Sequence, residues 1–377
     1  MENKIREQLA DSIATLLLND EEAGMALWRT SAPELKLQQE DLQEIDVLSC
    51  VYNAEAYVAN AIESVLLQSY PKINFIIVSD GCTDNTTKII EEYASKYSNI
   101  TLIVNPENYG IIESANIGLK ACKTEYIARM DLDDLIHPLR LEKQMAFMLK
   151  NPDIGALSSF MKVFNEKREV KDVFFRESYE LQKITMLFYS PLSHAATLYR
   201  ASVIKGIGYK DGYKYAEDYD LWFRIMCQYK TAVYPEYLYF YRTHSNQVTN
   251  DRNIDIIKST WVMILANIFD ALKMSYTPED IQFHIKYCSL GQNISSLGEW
   301  LDYHNWLNKL VKANEQSGFF DQTKLKEFLY MNYWLSGFNQ YKKQMPFKQL
   351  IQVFNCPLNP LSTLGKFKLI ARQLIGN

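Results

Sequence analysis

The stretch that decides the fold runs from residue 45 to residue 80 and reads IDVLSCVYNAEAYVANAIESVLLQSYPKINFIIVSD. It begins and ends with short β-branched runs, 45–52 and 74–80, which are typical of buried parallel strands. Between them, residues 55–70 place apolar side chains at helical spacing, and Pro71 follows the end of that pattern. A strand, a helix and a second strand in this order predict parallel pairing within an α/β sheet.

The same alternation continues along the chain. A helix is predicted at 83–98, a strand at 100–105, a helix near 111–122 and a strand at 125–131. The fold class expected is therefore α/β, with an open, mostly parallel sheet flanked by helices and a ligand site at the carboxyl ends of the strands. Further strands are predicted at 154–164, 171–175 and 231–247, and further helices at 139–151, 179–189 and 215–229.

Changes in pattern predict three segments. Residues 1–44 form an acidic, helix-prone leader, residues 45–250 carry the α/β pattern, and residues 251–377 are mainly helical. Within the last segment, residues 365–375 (GKFKLIARQLI) are basic and place apolar side chains on one helical face. Such an end is typical either of a helix lying on an anionic membrane surface or of a helix docked on its own domain.

Composition excludes some classes of protein. The formal net charge of −5 over 377 residues does not indicate a nucleic-acid-binding protein. The six cysteines are scattered without a CxxC pair, which favours a reducing compartment over a disulfide framework. The amino terminus lacks the apolar core of a secretion signal, and no later stretch clearly spans a bilayer, so we expect a cytoplasmic protein.

An acidic cluster follows the apolar run that ends the fourth predicted strand. Residues 129–134 read RMDLDD and place Asp131, Asp133 and Asp134 within four positions. Such clustered carboxylates are either a solvated loop or a site for a metal ion that relieves their repulsion. Their place at a strand end favours Mn²⁺ or Mg²⁺, which prefer carboxylate oxygens and take substrate phosphates as further ligands. We expect Arg129 to pair with these acids, and Asp134 to support the turn.

Several stretches, taken together and in order, resemble glycosyltransferase family 2, nucleotide-sugar enzymes with the A-type glycosyltransferase fold. The opening strand and helix at 47–71 are similar to the family's, although Cys50 replaces a frequent proline. Ser79 and Ala115 are further departures, at positions where many members have Asp and Arg. The remaining matching stretches are FIIVSDGCTDNTTKIIEEYA (75–94), NYGIIESANIGLKACKTEYIARMDLDDLIHPLRLEKQ (108–144), AEDYDLWFRI (216–225) and YRTHSNQVT (241–249).

The resemblance implies a role for individual residues. Asp218 would be the catalytic base, with helix capping as its structural alternative. Glu217 and His194 would contact the acceptor. The metal ligands would be Asp131, Asp133 and His244. The nucleotide-sugar would be bound by Tyr52, Asn53, Glu55, Asp80, Asp131 and Arg242; for Tyr52 a core position, and for Asp80 an Asx-turn, are the structural alternatives.

The function implied is that of an inverting, metal-dependent hexosyltransferase. It would move a sugar from a UDP-sugar to a saccharide or a polyprenyl-diphosphate-linked saccharide in bacterial cell-surface polysaccharide biosynthesis, as for lipopolysaccharide O-antigen or capsule. The basic end would suit peripheral contact with the inner face of the membrane. Two alternatives stay open: a catalytically inactive sugar-nucleotide-binding or assembly protein, and a sugar nucleotidyltransferase. The latter needs a glycine-rich basic loop after the first strand, which residues 49–57 lack.

Overall fold

A computed structural model of the chain describes residues 42–165, 170–244, 247, 254–341 and 344–354. The described residues form two compact units. The first comprises the chain up to Tyr179 and then Ser190–Ile257, and the second comprises Glu180–Tyr189 and the chain from Lys258 onward. Residues 1–41 of the predicted leader, and the basic amphipathic end predicted at 365–375, lie outside the described residues.

In the described residues, the first unit is built on a nine-stranded sheet. The strands are β1 (Ile45–Val51), β2 (Ile73–Asp80), β3 (Ile100–Asn105), β4 (Tyr126–Arg129), β5 (Leu135–Ile136), β6 (Ile154–Asn165), β7 (Val170–Val173), β8 (Leu198–Arg200) and β9 (Lys230–Thr243). Their order is β3-β2-β1-β4-β8-β6-β9-β5, and β7 pairs with β6. Strands β3, β2, β1 and β4 are parallel neighbours, which confirms the predicted open α/β sheet. The pairs β4–β8, β6–β8, β6–β7 and β5–β9 are antiparallel, so the sheet as a whole is mixed.

Helices alternate with the parallel strands and then dominate the second unit. Two π-helical segments, Ile285–Ser289 and Tyr330–Trp334, extend helices of that unit. The α-helices are α1 (Val58–Leu66), α2 (Thr86–Lys96), α3 (Ile111–Ala121), α4 (Arg140–Lys150), α5 (Tyr179–Thr185), α6 (Ala201–Ile207), α7 (Glu217–Met226), α8 (Ile254–Ala271), α9 (Pro278–His284), α10 (Leu297–Ser317), α11 (Gln322–Leu329), α12 (Leu335–Tyr341) and α13 (Phe347–Phe354).

The core of the first unit lies between the parallel strands and their helices. Every residue of β1 is buried, as expected for a central parallel strand covered on both faces. Helix α1 buries Val58, Ala61, Ile62 and Val65, which share one face of the helix. On α3, a Cβ at Gly118 would lie 2.3 Å from Leu48 Cδ1, so the glycine permits close packing of this helix on the sheet.

The register of the strands aligns the loops that follow them. Val51 of β1 lies opposite Ser79 of β2, and Leu48 lies opposite Arg129 of β4. The loops after these strands therefore leave the same edge of the sheet. This edge carries Tyr52, Asn53 and Glu55 after β1, Asp80 at the end of β2, and the acidic cluster at 131–134 after β4.

The structure differs from the sequence prediction mainly at short elements. Strand β4 ends at Arg129 rather than at residue 131, because the backbone N–H of Asp131 donates to the Tyr239 hydroxyl at 3.3 Å instead of to a neighbouring strand. Elements β5, β8 and α6 were not predicted, since two to seven residues carry too little periodicity to be recognised.

The described part of the second unit is helical, in agreement with the pattern expected after residue 250. Segment 180–189 also belongs to this unit, which the sequence did not indicate. Across the described residues, every helix is too short or too polar to cross a membrane.

Candidate active site

Hydrogen bonds join the loop after β1 to the loop after β2. Asn53, with a positive φ of 50°, accepts from the backbone N–H of Thr83 at 2.8 Å through its side-chain oxygen. Glu55 Oε2 accepts from both the backbone and the side-chain amide of Asn85, each at 2.9 Å. Tyr52 is 47% exposed, which excludes a core position and leaves its ring open to the solvent. These polar loops provide a surface at the carboxyl ends of the first two strands.

Asp80, the last residue of β2, is buried and organises the loop after β3. Its Oδ1 accepts from Asn105 Nδ2 and from the backbone N–H of Tyr109, and its Oδ2 accepts from the backbone N–H of Gly110, all at 2.9 Å. These partners belong to the β3 end and its loop, so the bonds are not those of an Asx-turn at Gly81. An ionised carboxylate has about four acceptor sites, so about one remains for a ligand. The predicted contact of Asp80 with a nucleobase stays a prediction.

Arg129 pairs with the first acid of the cluster, as expected. Its guanidinium is 2% exposed and lies 2.8 Å from Asp131 Oδ1. It also donates to the carbonyl oxygens of Leu48 at 3.0 Å and Met130 at 2.6 Å. The buried cation therefore links Asp131 to the middle of β1 at Leu48.

Asp134 is fully buried and joins residues 131–134, the acidic loop, to β9. Its Oδ2 accepts from the Tyr239 hydroxyl, and its Oδ1 from the backbone N–H of Arg242, both at 2.7 Å. Burial and the neighbouring charges of Asp133 and Asp131 raise its pKa well above the usual range, with the two hydrogen bonds opposing the shift. These contacts agree with the turn-supporting role expected for Asp134.

Arg242 also supports the acidic loop from β9. Its Nε donates to the Asp133 carbonyl at 2.7 Å, and its guanidinium lies over the rings of Tyr57 and Phe164 at 5.0 and 4.7 Å. The residue is buried. The structure thus gives Arg242 a contact with the backbone of the loop, and its predicted contact with a diphosphate stays a prediction.

Two of the three predicted metal ligands face each other. His244 Nε2 lies 3.2 Å from Asp133 Oδ2, and its ring packs on Tyr57 with centroids 4.4 Å apart. Asp131 is turned instead towards Arg129. Among the described residues, no group of three or more His, Cys, Asp or Glu side chains has the arrangement of a metal site. The pair of a carboxylate oxygen and an imidazole nitrogen fits two adjacent positions on a divalent cation whose other ligands are water and phosphate oxygens.

The predicted catalytic base, Asp218, lies in the first turn of helix α7. Asp218 is partly buried; its Oδ2 accepts from Ser190 Oγ at 3.1 Å and its Oδ1 from the backbone N–H of Tyr219 at 2.8 Å. Glu217, the first residue of the helix, precedes it. Asp220 is buried and pairs with Arg224 of the same helix at 2.6 Å.

His194 belongs to a small network beside Asp218. Its Nε2 lies 2.5 Å from the Tyr209 hydroxyl, and the two rings meet edge to face. Asn116 holds the backbone of Tyr209 by two hydrogen bonds of 2.9 and 3.0 Å. Burial, followed by the positive charge of Arg129, lowers the pKa of His194 well below its usual value, so the imidazole is neutral at pH 7.

Electrostatics shows that acids from separate segments share one region. Burial raises the pKa of Asp131; Arg129 opposes this shift, and the charges of Asp133 and Asp218 add to it. Burial also raises the pKa of Tyr209, and the negative charges of Glu217 and Asp131 add to this increase. The acidic loop and the start of α7 therefore lie close enough to influence each other.

The sequence analysis missed several residues that shape this region. Tyr239, Ser190 and Tyr209 each contact a predicted site residue through a hydroxyl group. Tyr239 belongs to the Tyr-rich strand and Ser190 to the stretch SPLSH, but neither pattern shows which hydroxyl turns inward.

Comparisons with known proteins agree with this geometry. The family profile described as Glycosyl transferase family 2 matches residues 46–208. An uncharacterized glycosyltransferase of Haemophilus influenzae is 34% identical over 220 residues, which cover 55% of this chain and 68% of the relative. The O-antigen biosynthesis glycosyltransferase WbnJ of Escherichia coli is 33% identical, over 49% of this chain and 72% of the relative.

Two further relatives extend the comparison. The amylovoran biosynthesis glycosyltransferase AmsE of Erwinia amylovora is 29% identical, over 56% of this chain and 81% of the relative. The crystal structure of S. aureus TarS 1-349 in complex with UDP-GlcNAc has a TM-score of 0.54 and 19% identity, covering 81% of this chain and 93% of that one. This structural match confirms the predicted A-type glycosyltransferase fold. From the sequence relatives, the chain belongs to glycosyltransferase family 2 and is a glycosyltransferase.

Proposed function

We propose that the chain is an inverting, metal-dependent hexosyltransferase that moves a sugar from a UDP-sugar to a saccharide or lipid-linked saccharide. The observation that carries this proposal is the shared electrostatic environment of Asp131, Asp133 and Asp218 at the carboxyl edge of the parallel strands. The diphosphate leaves from the same sugar carbon that the acceptor hydroxyl attacks. The groups that assist departure and the group that assists attack must therefore lie close together, although they come from different segments of the chain.

The donor would lie along the loops after β1 and β2, with the nucleotide near Tyr52, Asn53 and Glu55 and within reach of Asp80. The exposed ring of Tyr52 offers a face on which a base can pack. TarS has the same fold and was crystallised with UDP-GlcNAc, which makes UDP-sugars the first donors to test.

Asp133 and His244 would hold Mn²⁺ or Mg²⁺, with Asp131 near the ribose. Such an ion, when bound, supplies positive charge for the departing diphosphate. Arg129, through its contact with Asp131, and Arg242, through its contact with the Asp133 carbonyl, would keep the loop in place while charge develops.

Asp218 would act on the acceptor. As the acceptor hydroxyl oxygen bonds to the anomeric carbon, the bond from that carbon to the diphosphate breaks, and the hydroxyl proton passes to the Asp218 carboxylate. A single displacement of this kind inverts the anomeric centre. Ser190 and the N–H of Tyr219 would orient the carboxylate, and Glu217 and His194 would contact the acceptor.

The test is consumption of a panel of UDP-sugars by the full chain, with saccharide acceptors, in Mn²⁺ and in EDTA. We expect Asp218→Asn to lower turnover by about 10²- to 10⁴-fold while UDP binding is kept. The matched control is Asp211→Asn, a change of an exposed acid outside the site. If Asp218→Asn retains full turnover, the base is assigned wrongly; if UDP binds and no sugar is consumed across the panel, the alternative of a binding protein is favoured.

The wider process is a second part of the proposal. WbnJ and AmsE are named for O-antigen and amylovoran biosynthesis, which supports a role in bacterial cell-surface polysaccharide biosynthesis. Peripheral contact of the basic end with anionic membranes is tested by vesicle flotation. The full chain should float with anionic vesicles, and a variant carrying Lys366→Glu, Lys368→Glu and Arg372→Glu should not.

A further inference from the structure

The second unit contains a groove of about 790 Å³ that the proposed glycosyl transfer does not use. One wall is a face of α10, which lines the groove from Leu301 to Gln316 at spacings of three and four residues. The other walls are residues 273–275, just after α8, and one face of α13. The volume lies within the range of sites that bind small ligands.

The lining is cationic and rich in amides. Lys273, Lys309 and Lys312 line it, and none of the lining residues that the structure describes is a carboxylate. Lys309 pairs with Asp280 at 2.7 Å, whereas Lys273 and Lys312 have no carboxylate partner within the part of the chain that the structure describes. The other polar lining groups include the side-chain amides of Asn305, Gln316, Gln349 and Gln352. A surface that receives another helix would instead present an apolar stripe.

Buried polar side chains form part of the lining. His304 is 5% exposed, and its Nδ1 accepts from Trp334 Nε1 at 2.8 Å. Because an indole N–H can only donate, the neutral imidazole carries its proton on Nε2. Asn308, also buried, donates through its side-chain amide to the His304 carbonyl oxygen at 3.0 Å. Burial lowers the pKa of His304 to about 4, so it adds no charge at pH 7. These groups are held in place and present fixed polar atoms.

We propose that this groove binds an acidic saccharide. The ammonium groups of Lys273 and Lys312 can pair with a carboxylate or a similar anion of the ligand. The row of amides suits the many hydroxyl groups of a sugar, since an amide both donates and accepts hydrogen bonds. Met274, Leu301, Ala313 and Val353 supply apolar contacts for the faces of sugar rings. The inference concerns binding within the second unit and does not depend on the catalytic role of Asp218.

The test is isothermal titration calorimetry, at low salt, of the full chain with a galacturonic acid hexamer. The same hexamer with methyl-esterified carboxyl groups keeps its hydroxyls and loses its charges, so it should bind at least about tenfold more weakly. Lys312→Glu reverses an exposed charge of the groove and should weaken binding of the acidic hexamer by about three- to tenfold. Asn305→Ala should weaken both hexamers.

Two controls separate this site from the rest of the molecule. Lys286→Glu makes the same charge change at an exposed lysine that does not line the groove, and it should leave the affinity unchanged. Asp218→Asn should also leave it unchanged, whatever its effect on sugar transfer. Equal affinity for the two hexamers, no binding of the acidic one, or equal loss in Lys312→Glu and Lys286→Glu would overturn the proposal.

Discussion

The carboxylate of Asp80 holds the loop after β3 at the carboxyl ends of the parallel strands. The variant Asp80→Asn tests this role, and a second aspartate of the same sheet provides the control. Asp46, at the start of β1, is its counterpart at the opposite ends of the strands. Asp80 accepts three hydrogen bonds, from Asn105, Tyr109 and Gly110. Asp46 also accepts three from other residues, two from the backbone N–H groups at 123 and 124 and one from the side chain at 74. Both residues are buried.

Replacing either aspartate by asparagine therefore removes similar hydrogen bonds, at the carboxyl ends of the parallel strands for Asp80 and at their amino ends for Asp46. The asparagine amide can still accept hydrogen bonds through its oxygen, but it has no negative charge. Its NH₂ group takes the place of the second carboxylate oxygen and faces a backbone or side-chain donor, so that hydrogen bond is lost. With each bond to a charged group contributing about 1.5–3 kcal/mol, and one lost while the others weaken, we expect each variant to lose about 2–4 kcal/mol of unfolding free energy.

The assay combines three measurements. Urea unfolding followed by circular dichroism gives the loss of stability. Amide hydrogen exchange should increase at 109–110 in Asp80→Asn and at 123–124 in Asp46→Asn. Calorimetric titration with UDP should show weaker binding for Asp80→Asn alone, because only its loop borders the proposed nucleotide site.

Two results would refute this reasoning. If Asp80→Asn weakens UDP binding without faster exchange at 109–110, the carboxylate does not act by holding the loop. If Asp46→Asn weakens UDP binding to the same extent, the effect reflects general loss of stability and not the position of Asp80.

Three further changes test other parts of the structure. Gly81→Ala places a Cβ 2.2 Å from the backbone of the β3 loop at a φ of +63°, so we expect a larger drop in melting temperature than for Gly110→Ala, whose Cβ would meet nothing within 4 Å. Asp134→Ala leaves two buried donors without their acceptor; we expect a loss of about 2–5 kcal/mol in urea unfolding and loss of sugar transfer, and unchanged stability would contradict the network. Burial lowers the pKa of His284 from 6.5 to about 4, so the unfolded chain binds more protons between these values. The contribution of His284 to the unfolding free energy should therefore be fully present above pH 6.5 and fall by about 3 kcal/mol towards pH 4. In urea titrations across that range, His284→Gln should remove this part of the pH dependence, whereas the part due to His304, whose pKa burial also lowers to about 4, should remain.

The parallel half of the fold could be predicted because its signals are local. The strand at 45–51 and the helix after it differ in period, and each is long enough to be recognised. The acidic cluster could be placed at the correct edge for the same reason, since a residue that follows a parallel strand has one edge to occupy.

The contacts of the acidic loop with β9 could not be predicted, because they join residues far apart in the sequence. Asp134 meets Tyr239 across 105 positions, and Arg242 Nε meets the Asp133 carbonyl across 109. Strand β9 pairs with β6 through register shifts, and such irregularities decide which tyrosine turns towards the loop. Sequence spacing alone does not contain this information.

The attachment of the acidic loop to β9 also has a consequence for synthesis. The loop at 131–134 leaves the ribosome more than a hundred residues before its partners Tyr239, Arg242 and His244. Domains fold as units while the chain grows from its amino terminus. A nascent chain that stops short of β9 has the parallel strands but lacks these contacts, so Asp133 and Asp134 gain their partners late, when the last strand of the sheet is added.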